Sequence, residues 1–218
     1  MIRTMNIKNA RRAFTQFSEW SVLSLALMAL VSCASQPEPA EAMAHLPPGI
    51  GETADTQVKV HFGTNRAGDS KYADRKAPPF FTSVNGKQIT YGTIVTTIEP
   101  HNKVGKLDAV KLKDRPVILQ EHKFFANLRD DLEANANASD RSLLIFVHGY
   151  NVTFEKAARR TAQLKHDLRF EGEAAFYSWP SRGKLLGYWA DEGAVVEAEP
   201  FLQEFLIKMV RESSAKRI

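Results

Sequence analysis

The chain has 218 residues, enough to bury a core as one α/β-sized domain, or as one domain with a targeting segment. It is 44% hydrophobic and 25% charged, with a formal net charge of +4; of 29 basic residues Arg3, Lys8, Arg11 and Arg12 lie in the first 32 positions, against Glu19 of 25 acidic ones, so the remainder carries only +1. With no basic stripe and interleaved aromatics in that remainder, nucleic acid is excluded as a partner, and a single cysteine, Cys33, excludes an intramolecular disulfide and a cysteine-based zinc site.

The chain opens with a basic segment, followed by a short apolar run from Trp20 to Val31 and then Leu30-Val31-Ser32-Cys33. Basic region, apolar region and small residues at a cleavage point are the order of a secretory signal, and the run falls short of the ~20 apolar residues that cross a bilayer. The four residues ending in Cys33 resemble the bacterial lipobox, whose cysteine is acylated and becomes the new amino terminus. The expectation is a signal peptide over 1–32, with Cys33 attaching the chain to a membrane of the bacterial cell envelope, facing the periplasm. More than one acyl chain makes such an anchor stable. Ala34 and Ser35 follow without the aspartate that resembles an inner-membrane retention signal, which favours the outer membrane. The alternative is an uncleaved anchor in which Cys33 is only a small apolar residue. Residues 33–56, rich in Pro, Ala and Glu, read as a flexible tether, and 57–218 as the folded domain.

Val58, Val60 and Phe62 alternate with Lys59 and His61, which predicts a half-buried strand closed at Gly63-Thr64-Asn65-Arg66 by a polar turn. Gly68, Pro78-Pro79 and Asn85-Gly86 mark 67–88 as loop with at most short strands. A strand follows over Ile89–Ile98, with short candidates at Val110–Leu112 and Val117–Leu119, and Phe125, Leu128 and Leu132 fall on one face of a helix. His61, His101 and His122 have no metal-ligand spacing and read as packed or surface residues. The glycosylation triplets at Asn137 and Asn151 lose their meaning beside a bacterial lipobox.

Leu143–Val147 is a continuous apolar run, the pattern of a central parallel strand buried on both faces, and His148-Gly149 stops it. Phe154, Ala157, Ala158, Thr161, Leu164 and Leu168 then repeat at three and four as an amphipathic helix, capped by Asn151 or Thr153. Ala174–Trp179 is a second apolar strand, completing a right-handed parallel βαβ unit. Pro200 suits the first position of another helix, striped by Phe201, Leu202, Phe205, Leu206, Met209 and Val210. Lys216-Arg217-Ile218 reads as the approach to one more strand.

Phe146–Asn151, the helix carrying Ala157-Ala158-Arg159-Arg160, and Tyr177–Gly183 together resemble DUF900, an esterase/lipase-like bacterial family of the α/β-hydrolase superfamily. Phe62–Arg66, Tyr91-Gly92 and Lys103-Val104-Gly105 resemble its amino-terminal strands. The resemblance implies an α/β-hydrolase fold: a mixed sheet with antiparallel amino-terminal strands followed by parallel βαβ units. It also implies acyl transfer, in which a serine on a strand-to-helix turn attacks an ester-like carbonyl, a histidine takes its proton and an acid orients the histidine. The developing oxyanion needs backbone N–H donors. The loop in that role is His148-Gly149-Tyr150-Asn151, with Tyr150 donating and Gly149 letting the backbone approach the substrate, a small acyl or ester compound. His148 itself reads as a packing or hydrogen-bonding group of the turn. No cofactor and no metal are implied.

The triad is met in this fold as serine, acid, histidine, after the strand that would follow Pro200–Arg211. No Gly-x-Ser-x-Gly or His-Ser-Met-Gly occurs in the 218 residues, and Ser178 and Ser181 lack the elbow context. Asp191 and Glu192, after the family-like Tyr188, read as loop anchors. The expectation is therefore an incomplete α/β-hydrolase domain, with the catalytic residues beyond Ile218 and no turnover alone. The alternatives are a lipoprotein that binds a partner or acyl ligand without chemistry, and a non-functional fragment. Oligomeric state is not legible.

Overall fold

The computed structural model describes residues 54–68, 78–135, 141–182 and 188–218, the side chains of 188–192 excepted; the expected signal peptide, Cys33 and nearly all of the expected tether lie outside these residues. The described chain forms β1 (Thr56–Arg66), β2 (Asn85–Ile98), β3 (Val110–Leu112), β4 (Val117–Leu119), α1 (Glu121–Ala134), β5 (Leu143–Val147), α2 (Phe154–Asp167), β6 (Glu173–Ser178) and α3 (Tyr188–Glu212). The sheet runs β3-β2-β1-β6-β5, with β4 also on β2. β1 is antiparallel to β2 and parallel to β6, which is parallel to β5. That is the mixed sheet expected, antiparallel at the amino-terminal side and parallel through the βαβ unit β5-α2-β6.

Period-two alternation divides β1 and β6 between two cores. Val58, Val60, Phe62, Ala174 and Phe176 face α2 and pack on Phe154, Ala157, Ala158 and Ala162. Ala175 and Tyr177 join the opposite core, where Phe124, Phe125, Leu128 and Leu132 of α1 meet Phe205 and Met209 of α3. Two ion pairs from Lys208, to Glu121 at 2.8 Å and to Glu204 at 2.7 Å, tie α3 to α1 and to its own preceding turn.

Four expectations change. β1 does not turn at Gly63: it runs on to Arg66, buried on both faces from His61 onward. A Cβ at Gly63 would lie 2.5 Å from the Phe205 ring, so this glycine serves close packing of α3 on the sheet instead of a turn. β2 begins at Asn85, four residues before the predicted start. The central parallel strand is β6, every residue of which is buried; β5 lies at the end of the sheet path and is only partly covered. Both are short apolar runs, and sequence alone does not say which one has neighbours on both edges.

Pro200 lies inside α3, not at its start. Proline removes one N–H and leaves the carbonyl four residues back without its helical donor. That residue, Val196, is 66% exposed, so water can serve the carbonyl and the helix continues. The backbone of Asp191 and Glu192 lies within α3. Beyond the free edge of β5, Arg217 forms a parallel bridge with Ser142, and the Leu143 N–H donates to the Arg217 carbonyl at 2.9 Å. This is the strand approach expected of Lys216–Ile218.

Candidate functional site

The loop His148–Asn151 leaves the carboxyl end of β5, the end at which α/β sheets place their ligand sites. It is followed by α2, whose cap is Thr153, accepting from the Lys156 N–H at 3.3 Å. The reversal is made at Asn151, which holds φ 60°, and not at Gly149. A Cβ at Gly149 would meet nothing within 4 Å, so the space beside it is open. Asn151 Oδ1 is buried with no hydrogen-bond partner among the described residues.

His148 is 3% exposed and is held at three points. Its Nδ1 is 2.8 Å from the Gly149 carbonyl, its Nε2 is 3.1 Å from Ser178 Oγ, and its own carbonyl accepts from Trp179 Nε1 at 2.8 Å. The ring also stacks on Trp179, with centroids 5.2 Å apart. A carbonyl only accepts, so Nδ1 carries the proton and Nε2 of a neutral ring is the acceptor for the Ser178 hydroxyl.

These bonds orient the backbone. In a planar trans peptide the C=O and the following N–H point opposite ways. The Gly149 carbonyl turned toward the imidazole therefore turns the Tyr150 N–H away from it, and the His148 carbonyl turned to Trp179 does the same for the Gly149 N–H. Beside the loop lies a cavity of about 310 Å³, with Val147, Tyr150, Tyr177 and Trp179 on one wall, Ala198 and Leu202 of α3 on the other, and Glu199 contributing a carboxylate. It stands at the small end of the ~300–1,000 Å³ typical of ligand pockets. The Tyr150 ring, 44% exposed, meets Trp179 edge-on at 5.5 Å.

His148, Gly149 and Tyr150 thus line the cavity together, while Asn151, which makes the turn, is not among its lining residues. Ser178 and Ser181 are 0% and 1% exposed, with Ser178 held between His148 and Arg66 and Ser181 accepting from the Val152 N–H at 3.3 Å. Neither hydroxyl faces solvent.

The residues that sequence reasoning missed are those of the supposed polar turn. Thr64 Oγ1 donates to the Ser178 carbonyl at 2.5 Å, and Asn65 accepts from the Tyr177 hydroxyl at 2.9 Å while donating to Asn85 at 2.8 Å. Arg66, 3% exposed, donates to Ser178 Oγ and to carbonyls of three loops. Four successive buried residues, three of them polar, are tolerated only because each polar one finds an internal partner. The only signal in the sequence was their place at the end of an apolar strand.

A second polar cluster lies toward the other end of β6. His61, fully buried, has Nε2 3.1 Å from Asp131 Oδ2 and 3.7 Å from Glu173 Oε2; Lys59 and Lys165 pair with the two carboxylates at 2.5 and 3.3 Å. Burial alone would raise both carboxyls, but His61 with Lys59 outweighs it at Asp131, and His61 with Lys165 outweighs it at Glu173, so each is held below the usual range. Among the described residues no group of three or more His, Cys, Asp or Glu is arranged to hold a metal ion.

An antiparallel amino-terminal pair and a parallel βαβ unit define an α/β protein, and the candidate site lies at the carboxyl end of its parallel strands. Residues 121–218 match the model of the family described as alpha/beta hydrolase of unknown function (DUF900), the family read from the sequence. No curated protein and no solved structure matches the chain. The matched residues include the whole loop, α2, β6 and α3; Phe62–Arg66 and Tyr91-Gly92 lie outside them.

Proposed function

We propose that the folded domain, residues 57–218, supplies the oxyanion side of an acyl-transfer site, with the Tyr150 N–H as a donor to the oxygen of a small acyl or ester substrate. The observation that carries this reading is the Gly149 carbonyl held at the His148 ring, which turns the Tyr150 N–H away from that ring in a loop that lines an apolar cavity. Gly149, with open space where a side chain would stand, leaves room for the backbone to approach a ligand. Glu199 at the cavity disfavours an anionic acyl group and favours a neutral one.

The nucleophile of such a site is absent from the 218 residues as a serine elbow, and the hydroxyls of Ser178 and Ser181 are buried. The 218-residue chain therefore turns over no ester by itself. Incubation with a fluorophosphonate probe is expected to leave it unlabelled; stoichiometric labelling would overturn the reading. The burial of both serines equally supports a second function, binding of a neutral acyl ligand without chemistry. Saturable binding of octanamide by a chain that no fluorophosphonate labels fits either function; hydrolysis of the matching octanoate ester overturns both.

We further infer that residues 1–32 are a lipoprotein signal peptide, that acylated Cys33 anchors the chain in the bacterial envelope facing the periplasm, and that 33–56 tether the domain. The order of basic segment, short apolar run and lipobox-like residues supports this. Mass spectrometry of the mature amino terminus is expected to find acylated Cys33; an unmodified Cys33 refutes the anchor.

A further inference from the structure

The hydrogen bonds behind the loop form a chain whose direction is fixed at one end. A guanidinium has only donors and stays protonated in proteins. Arg66 Nε donates to Ser178 Oγ at 2.9 Å, which occupies the hydroxyl as an acceptor and leaves its single proton for another group. His148 Nε2 stands 3.1 Å from that oxygen. If Ser178 donates there, Nε2 is the acceptor nitrogen and Nδ1 carries the proton that reaches the Gly149 carbonyl at 2.8 Å.

The rest of the guanidinium fixes the frame in which this happens. Nη1 donates to the carbonyls of Thr82 and Ser181, both at 3.1 Å, and Nη2 to that of Val152 at 2.9 Å. One planar fork thus joins the segment before β2, the loop after β6 and the loop after β5. Lysine, a single ammonium on a flexible stem, cannot reproduce that set of directions. Thr64 locks the arrangement from the side by donating to the Ser178 carbonyl.

We propose that Arg66 and Ser178 are positioning residues: their directional hydrogen bonds set the Nδ1–H tautomer of His148 and, through the Gly149 carbonyl, the orientation of the 149–150 peptide. Neither touches substrate. The inference rests on the proposed oxyanion role only for what the Tyr150 N–H does once aimed; the tautomer itself is independent of it.

The test is nitrogen-15 NMR of the full chain, reading the His148 ring nitrogens and the Tyr150 amide. The wild type is expected to show Nδ1 protonated and Nε2 unprotonated. Ser178→Ala removes one hydroxyl and is expected to lower the ratio of Nδ1–H to Nε2–H tautomer about tenfold, the worth of one hydrogen bond, and to move the Tyr150 amide resonance. Ser178→Thr keeps a hydroxyl and restores the ratio, which a purely steric effect would not do. Arg66→Lys moves the ratio in the direction of Ser178→Ala; if it fails to fold, the serine pair decides alone. A wild-type Nε2–H tautomer, or a Ser178→Ala ratio equal to the wild type's, overturns the proposal. Adding octanamide separates the two readings: a tautomer that follows Ser178 while the Tyr150 amide ignores the ligand sinks the oxyanion role and leaves the positioning role standing.

Discussion

β6 begins at Glu173 and ends at Ser178, and the two ends of this one buried strand are held in different ways. At the start, carboxylates face lysines and a shared imidazole: Glu173 meets Lys165 and His61, and Asp131 meets Lys59 and the same histidine. At the finish, a buried guanidinium meets a hydroxyl and three backbone carbonyls, and the hydroxyl meets an imidazole. Ion pairs are strong in a dry interior but weakly directional, and their strength depends on protonation. Hydrogen bonds from a rigid fork to fixed acceptors specify angles. The charged end therefore contributes stability that varies with pH, whereas the forked end orients a loop. The candidate site lies at the forked end.

The largest effect should come from removing the fork. Arg66→Met leaves Ser178 Oγ and the carbonyls of Thr82, Ser181 and Val152 short of a donor, in surroundings where water has little access. At ~1–3 kcal/mol for each unsatisfied group, with partial relaxation, the loss is about 4 kcal/mol. Chemical denaturation is the measurement; a loss below about 1 kcal/mol would mean that the loops do not depend on this residue.

At the charged end, Glu173→Gln keeps the shape and removes the charge facing Lys165 and His61. Breaking a fully buried pair costs ~3–5 kcal/mol; Lys165 retains some solvent contact, so about 2 kcal/mol is expected. The pH dependence has a definite sign. The carboxyls of Glu173 and Asp131 are both held below their usual range in the fold. Their contribution is complete above the unfolded carboxylate value of ~4 and is lost as pH falls through the lower folded values. Stability of the wild type should drop across that acid window, and Glu173→Gln should make the drop shallower. An unchanged acid limb in the variant would assign the acid sensitivity to other groups.

The contrast between the ends also marks what was legible in the sequence. β3, β4 and β5 have the limits read from their apolar runs, and Thr153 caps α2 where the periodicity begins, because hydrophobic period and turn chemistry are local signals. Thr64–Arg66 misled for one reason: a polar residue satisfied by a partner more than 100 positions away looks, from its neighbours alone, like a residue in water. Thr64 and Arg66 both reach residue 178, at separations of 114 and 112. Pro200 misled because its cost depends on whether the carbonyl of Val196 can find water, a property of the packed helix. Of the candidate site, the loop was legible as a strand-glycine-helix corner, but the residue carrying the sharp backbone conformation was not, since glycine is the usual occupant of such a position.

That residue, Asn151, supplies the smallest test. Its φ of 60° costs an ordinary L residue ~1–2 kcal/mol, and asparagine tolerates it better than alanine does. Asn151→Gly removes the strain and also the buried Oδ1, an acceptor without a hydrogen-bond partner among the described residues. The glycine variant should therefore be as stable as the wild type or more so, and Asn151→Ala less stable by about 1 kcal/mol. If the glycine variant is instead the weaker of the two, Oδ1 is bound, and the turn belongs with the forked end of the molecule, where polar atoms serve as directional partners and not as strained bystanders.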